Sequence, residues 1–406
     1  SCVIWKSSPL AFPYSARVAG EVSPAALRMA DKEKMAIMTD PETDVLVNPW
    51  RGQGLPKEIL TGGSMADGEV VTDARAAQRL FALCPAAHRT PLLDRPDLAR
   101  DLGIGGLWLK DERARMGLGS FKALGAAFAI ARAADEAVRA GTATAHDTAL
   151  AGATYVCASA GNHGLSMAAG AALFGATAVV LLAETVPEGF ADRLRAKGAR
   201  VIRHGAVYED SMAEAMRLAE VEGWNLLSDS TWVGYSAPAR DVMEGYLIMG
   251  AEVADEAPAP PTHIFLQAGV GGMAAAAAAA ARAAWGDAPQ IIVVEPSRAP
   301  ALIESIRAGR PVNTSGAASC MGRLDCKEPS HLALKYLADA ADMFMTVTDA
   351  QADETTAWLA ATGIGSSPSG TGGLTGLQQA LAQPETFGLD AGSRVLLYVS
   401  EGAADD

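Results

Sequence analysis

Long apolar runs are missing from this 406-residue chain: nothing approaches the roughly 18 consecutive apolar residues that a bilayer-spanning helix needs. The alanine-rich stretch at 273–284 is too short and too weakly hydrophobic. Positive charge is also scarce. Lys and Arg number 33 against 47 Asp and Glu, a formal charge of −14 with no basic cluster. That balance argues against nucleic acid or an anionic membrane as partner. Cysteine is limited to Cys2, Cys84, Cys157, Cys320 and Cys326, scattered and odd in number. A reduced, cytoplasmic compartment is the simpler expectation, and the opening "SCVIWKSSPLAF" lacks the layout of a secretory signal. Six histidines include no H-x-x-x-H pair, so no metal site is expected.

What the chain has in quantity is glycine, 41 residues, and apolar side chains, half of the total. Small residues at that density suit helices packed closely on a sheet. The length exceeds one ordinary domain and predicts two lobes. Residues 1–75 are irregular and read as an arm or cover. Beyond them, short β-branched runs alternate with helical stretches. Strands are expected at 107–110, 154–158, 177–183, 199–203, 224–228, 263–267, 291–295, 343–347 and 394–399. Such alternation means a mostly parallel, twisted α/β sheet. "ADEAPAPPTH" (254–263) is the clearest linker, because stacked prolines stop a helix and cannot join a sheet centre. The acidic stretches "EVADE" and "DAADMF" read as solvated helix faces.

Two glycine-rich turns stand between a strand and a helix. "HIFLQAGVGGMAAAAAAAA" carries Gly269, Gly271 and Gly272, and "TYVCASAGNHG" carries Ser159, Ala160, Gly161, Asn162, His163 and Gly164. Glycine lets backbone N–H groups approach a phosphate, and the following helix N-terminus adds positive potential. Read loosely, the first turn fits a dinucleotide fingerprint with Glu295 as the ribose acid, or a tight structural turn, or a cup for one phosphate. In "GLGSFKALGAAFAIARAA", Lys122 heads a small and apolar helix. An amine buried there has a lowered pKa and serves as a nucleophile. The bland alternative is a snorkelling surface lysine.

The S-F-K lysine, the S-A-G-N-H-G turn and the glycine phosphate loop together resemble the fold type II pyridoxal phosphate enzymes, the tryptophan synthase β and threonine dehydratase group. Within it, "TPLLDRPDLARDLGIGGLWLKDERARMGLGSFKALGAAFAI", "SDSTWVGY", "LQAGVGGMA", "VVEPSRA", "MGRLDCKEPS" and "PSGTGGLTGL" are similar, in order, to the diaminopropionate ammonia-lyases. The resemblance covers roughly residues 45–402. It implies an α/β fold of two lobes, each with a twisted, mostly parallel sheet flanked by helices. The large lobe would comprise 76–127 and 237–406, and the small one 128–236.

The same resemblance implies site roles. Lys122 would join pyridoxal 5′-phosphate as an imine and carry the α-proton. Asn162 would bond the phenolic oxygen, and Gly269, Val270, Gly271, Gly272 and Met273 would hold the phosphate. Ser369 would meet the pyridine nitrogen, a milder arrangement than an aspartate. Ser159, Ala160, Gly161 and His163 would line the substrate carboxylate clamp, with His163 equally readable as a structural turn residue. Asp229 matches a catalytic aspartate that assists the leaving group or binds a substrate amine, or it caps its loop.

One departure stands out. The resembled enzymes read D-G-N-H-G, where the aspartate serves as base for the D-isomer; here Ala160 replaces it, as in the L-serine and L-threonine dehydratases. The expected activity is β-elimination of ammonia from a 3-substituted L-alanine, foremost 2,3-diaminopropionate, giving pyruvate. The alternatives are a serine, threonine or hydroxyaspartate dehydratase, a β-replacement synthase, and a cofactor-binding protein without turnover. A homodimer is implied by the family.

Overall fold

The computed structural model describes residues 43–84, 86–159 and 161–403; residues 1–42 of the expected arm lie outside them. Eleven strands are found among these residues: β1 (Val45–Val47), β2 (Leu92–Asp94), β3 (Gly106–Asp111), β4 (Thr154–Ala158), β5 (Thr177–Leu182), β6 (Arg200–Arg203), β7 (Asn225–Leu226), β8 (His263–Gln267), β9 (Gln290–Pro296), β10 (Met343–Val347) and β11 (Arg394–Val399). The nine expected from sequence are all present. The two unforeseen ones, β1 and β2, are three-residue edge strands too short to carry a pattern.

The larger sheet has the order β1-β10-β9-β8-β11-β3-β2. Its five central strands are parallel, and both edge strands run antiparallel to their neighbours. Strands β8 and β10 are buried at every residue, which explains why they read as continuous rather than alternating apolar runs. The smaller sheet, β6-β5-β4-β7, is wholly parallel. Among the described residues no helix is long and apolar enough to cross a membrane.

Alanine and glycine set the helix packing. The helix Gly272–Trp285 buries its first ten residues, and it lies on the helix Ala237–Glu256. The second of these also supports the turn Phe121–Leu124. A Cβ at Gly245 would stand 2.0 Å from the Leu124 carbonyl oxygen, so only glycine permits that approach. The turn carries Lys122, and so a single missing methyl group determines how deeply the lysine is seated. The linker falls where expected, with the helix ending at Glu256 and β8 opening at His263. "EVADE" is only partly a solvated face: Asp255 and Glu256 are exposed, but Glu252 is 3% exposed and lies in a buried ion cluster. In "DAADMF", Asp339 is exposed at the end of a helix, while Met343 and Phe344 are buried in β10.

Parallel strands bring their carboxyl ends to one edge, and loops there are the usual place for a ligand. Lys122 follows β3, Asn162 follows β4, Asp229 follows β7, and the Gly269–Met273 turn follows β8. Ser369 reaches the same region from the loop before the helix Gly372–Ala380.

Candidate active site

Lys122 and Asp229 form an ion pair between Nζ and Oδ2, joining the larger sheet to the smaller. They are 107 residues apart in sequence. Each side chain is 21% exposed, buried enough to be selective and open enough to meet a ligand. Ser120 starts the lysine's turn by accepting the Lys122 backbone N–H at 3.1 Å. Phe121 stacks edge-on against Tyr246 at 4.9 Å, and the ammonium lies 5.4 Å and 5.9 Å from those two rings.

The expectation of a lowered lysine pKa is overturned. Burial does pull the amine down, but the Asp229 charge and hydrogen bond, with Tyr246 and Cys326, push it further up. Asp229 shows the mirror effect: burial raises it, yet Lys122 and His163 hold it well below the usual carboxylate range. The sequence argument counted the apolar neighbours along the chain and could not see an acid arriving from the other sheet. Without a ligand the pair is ionic, and its nucleophilic form appears when a proton leaves.

The loop that presents Asp229 is pinned on both sides. Tyr235 accepts the Ser228 N–H at 2.9 Å and donates to the Leu226 carbonyl at 3.0 Å, while its ring stacks on Trp232. Thr231 bonds Ser330 through both backbone and hydroxyl, and its hydroxyl accepts the Leu332 N–H at 2.9 Å. Asp229 is therefore not a loop cap. Its neighbours do the capping, and its own carboxylate is left for Lys122.

The Gly269–Met273 turn has the form of an anion cup. Gly271 sits at φ +100°, a conformation that favours glycine, and a Cβ there would press within 3.1 Å of Ala333. A Cβ on Gly269 would lie 2.9 Å from Cys326 Sγ. The first N–H of the following helix to find an internal acceptor is that of Ala275, bonded to the Gly271 carbonyl at 2.9 Å. The N–H groups of Gly272, Met273 and Ala274 precede it and have no intrahelical acceptor, as at any helix start. The dinucleotide reading loses its acid. Both Glu295 oxygens accept N–H groups of Leu302 and Ile303 at 2.7 Å, so that carboxylate caps a helix.

In the second turn, Ser159 accepts the N–H groups of Gly161 at 3.2 Å and Gly164 at 3.1 Å, so its oxygen already organises the helix Asn162–Leu173. His163 is 5% exposed and bonds the Leu227 carbonyl at 2.8 Å, two residues before Asp229. That contact makes it a strut between the two turns. Its Nδ1 is buried without a partner, and burial lowers its pKa. Ala160 lies outside the described residues.

Ser369 accepts the Arg323 N–H at 3.1 Å, which leaves its own proton to donate. Asn162 donates one amide hydrogen to Glu401 Oε2 at 2.8 Å and keeps a second. The fit to pyridoxal phosphate can be judged from these atoms: a lysine open to solvent, an amide and a hydroxyl each with a proton to give, and a glycine cup that any Cβ would fill. They suit the group. Among the described residues no cluster of three or more His, Cys, Asp or Glu side chains could hold a metal ion.

Two residues here had escaped sequence reasoning. Tyr246 is 1% exposed with its hydroxyl unpaired, and nothing in "EGYLIMG" marks it. Glu401 does have a signal, a lone acid one residue beyond the apolar run of a parallel strand, "VLLYVSEG". Burial raises its pKa, while Arg323 and Ser367 pull the other way.

Comparison with known proteins agrees with this geometry. The pyridoxal-phosphate dependent enzyme family model matches residues 83–401. Diaminopropionate ammonia-lyase of Escherichia coli strain K12 is 31% identical over 293 residues, 69% of this chain and 73% of that protein. L-threonine ammonia-lyase of Thermotoga maritima is 26% identical over 279 residues, 68% of this chain and 63% of that one. The crystal structure of the Escherichia coli diaminopropionate ammonia lyase with an aminoacrylate-PLP azomethine reaction intermediate superposes with a TM-score of 0.77. It is 26% identical and covers 89% of this chain and 94% of its own. The chain belongs to the pyridoxal-phosphate dependent enzyme family, in the branch that holds the diaminopropionate ammonia-lyases.

Proposed function

We propose that this protein is a pyridoxal phosphate-dependent ammonia-lyase that eliminates the β-substituent of a 3-substituted L-alanine, foremost 2,3-diaminopropionate. The balanced reaction is diaminopropionate plus water to pyruvate plus two ammonia molecules. The observation that carries this reading is the Lys122–Asp229 pair, an amine and a carboxylate in contact at the carboxyl edge of both sheets. Support also comes from the 31% identity to enzymes of that name.

The cofactor, when bound, supplies an aldehyde for covalent attachment of amines and a ring that spreads the electrons of a deprotonated α-carbon. Lys122 is the residue that would hold it and, once released, take the α-proton. Asp229, held as a carboxylate, is within reach to bind the substrate's second amine as its ammonium, which would leave as neutral ammonia. Asn162 and Ser369 would hold the cofactor through their remaining protons, and the N–H groups of 269–273 would take its phosphate. Ser159, Gly161 and the helix start behind them would take the substrate carboxylate. A hydroxyl rather than a carboxylate at the ring nitrogen favours elimination over transamination.

Ala160 supports a preference for L-substrates, because a methyl group cannot accept a proton. The same residue favours a second reading, a hydroxyamino-acid dehydratase, in which water rather than ammonia leaves. We read the lobes as 76–127 with 237–406 and as 128–236, the assembly as a homodimer and the compartment as cytoplasmic. Measuring ammonia and the 2-oxo acid (pyruvate, or 2-oxobutyrate from threonine) released from L- and D-diaminopropionate, L-serine and L-threonine tests the whole reading. Two ammonia per pyruvate from L-diaminopropionate is expected. One ammonia per pyruvate, from L-serine alone, selects the dehydratase, and release from D-diaminopropionate contradicts the role given to Ala160.

A further inference from the structure

Glu401 is 3% exposed, and its carboxylate is used by none of the roles above. It gathers donors from three separate segments. Asn162 reaches it from the turn after β4 at 2.8 Å, Arg323 Nη1 from the 316–330 region at 2.7 Å, and the Ser367 hydroxyl from the loop that also bears Ser369. Its backbone is fixed as well. The carbonyl accepts the Ser366 hydroxyl at 2.6 Å, and the residue pairs antiparallel with Ser120, two positions before Lys122.

A Glu–Arg pair with one hydroxyl would already satisfy a buried carboxylate. The third partner, Asn162, is the informative one, because an Asn amide can flip. With one amide hydrogen committed to an anion, the flip is forbidden and the second hydrogen is aimed. We propose that Glu401 is a positioning residue for the cofactor: it holds Asn162 of the smaller sheet across to the larger one and fixes the amide that meets the phenolic oxygen. The inference rests on the assignment of Asn162 to the cofactor. It also gives the Arg323–Glu401 pair a purpose, since Arg323 neutralises the anion from its exposed side while its N–H steadies Ser369.

A double-mutant cycle tests it, read as the dissociation constant for pyridoxal phosphate titrated into resolved apoenzyme of wild type, Glu401→Gln, Asn162→Ala and the double variant. Each single variant should weaken binding about ten- to hundredfold, the worth of one charge-assisted hydrogen bond. The double variant should be no weaker than the worse single one, because both changes remove one function. Glu401→Asp is the companion if the glutamine variant does not fold. It keeps the charge beside Arg323 but withdraws the carboxylate by one methylene, and it should lose the same affinity. Additive losses, or wild-type affinity in folded Glu401→Gln or Glu401→Asp while Asn162→Ala is weakened, overturn the inference alone. Wild-type affinity in Asn162→Ala overturns the assignment beneath it as well.

Discussion

Two clusters of charge draw on the segment from Lys110 to Lys122, and they are built on opposite principles. In one, Lys110, Glu112, Arg115 and Glu252 are between 0% and 4% exposed. Arg115 alone makes six hydrogen bonds there, to both glutamates, the Thr90 hydroxyl and the His88 carbonyl. Two cations face two anions, and every N–H of the Arg115 guanidinium is used. In the other, Lys122 and Asp229 have little besides each other and remain 21% exposed. A saturated cluster anchors. An unsaturated one has bonding capacity left for a ligand, and it is the second that reads as chemistry. The anchor sits directly upstream of the strained segment, where Met116 is at φ +51°, the one positive-φ non-glycine among the described residues. It fixes the start of the loop whose far end is the lysine.

The comparison can be broken most forcefully at the lysine itself. Lys122→Ala should abolish pyruvate release, by a factor on the order of 10⁴ or more, while the protein keeps its fold by circular dichroism. Arg115→Met should do the reverse. It strands two buried glutamates against one lysine, and a loss of about 3–5 kcal/mol in denaturant unfolding is expected, with the remaining folded enzyme still active. Retained stability there would mean the anchor is no anchor.

Asp229→Asn has a smaller and more diagnostic effect. Turnover should fall roughly 10²- to 10⁴-fold. The amine of Lys122, freed of the charge that raises it, should lose its proton at lower pH. Its rate of reaction with an aldehyde, followed against pH, would then shift toward neutrality. In the wild type the signs are opposite for the two partners. The Lys122 contribution to stability is present below its unfolded pKa and lost only in strong alkali, and the Asp229 contribution is present above its unfolded pKa and lost only in strong acid. The pair is thus charged across neutral pH.

Glu295 provides a control outside both clusters, one that should alter the pH dependence of stability and leave turnover unchanged. Burial pushes it up to about 8, against the pull of its two N–H donors. The folded state then holds a proton that the unfolded chain releases near 4.5, so stability declines as pH rises between those values. Glu295→Gln should flatten that slope, by at most about 1.4 kcal/mol per pH unit. An unchanged slope would place the carboxylate's titration elsewhere.

Much of the fold was legible because period and punctuation are local properties. Strand β8 is a five-residue apolar run, and the prolines after Glu256 mark the linker on sight. The glycine turns and the S-F-K lysine were legible for the same reason, each being a contiguous string. Short edge strands such as β1 depend on a partner, here β10, that no local pattern reveals. The charge state of Lys122 depends on Asp229, and the burial of Glu252 depends on Arg115, both long-range pairings. Tyr246 and Glu401 were invisible or overlooked because their meaning lies in what they touch.

The central claim is a covalent one, that Lys122 is the residue to which the cofactor is joined. Reduction of the holoenzyme with borohydride, followed by proteolysis and mass mapping, addresses it directly. The account predicts a pyridoxyl adduct on the peptide containing Lys122 and no other. An adduct on Lys110 or a surface lysine, or none on a protein that takes up the coenzyme, would contradict it.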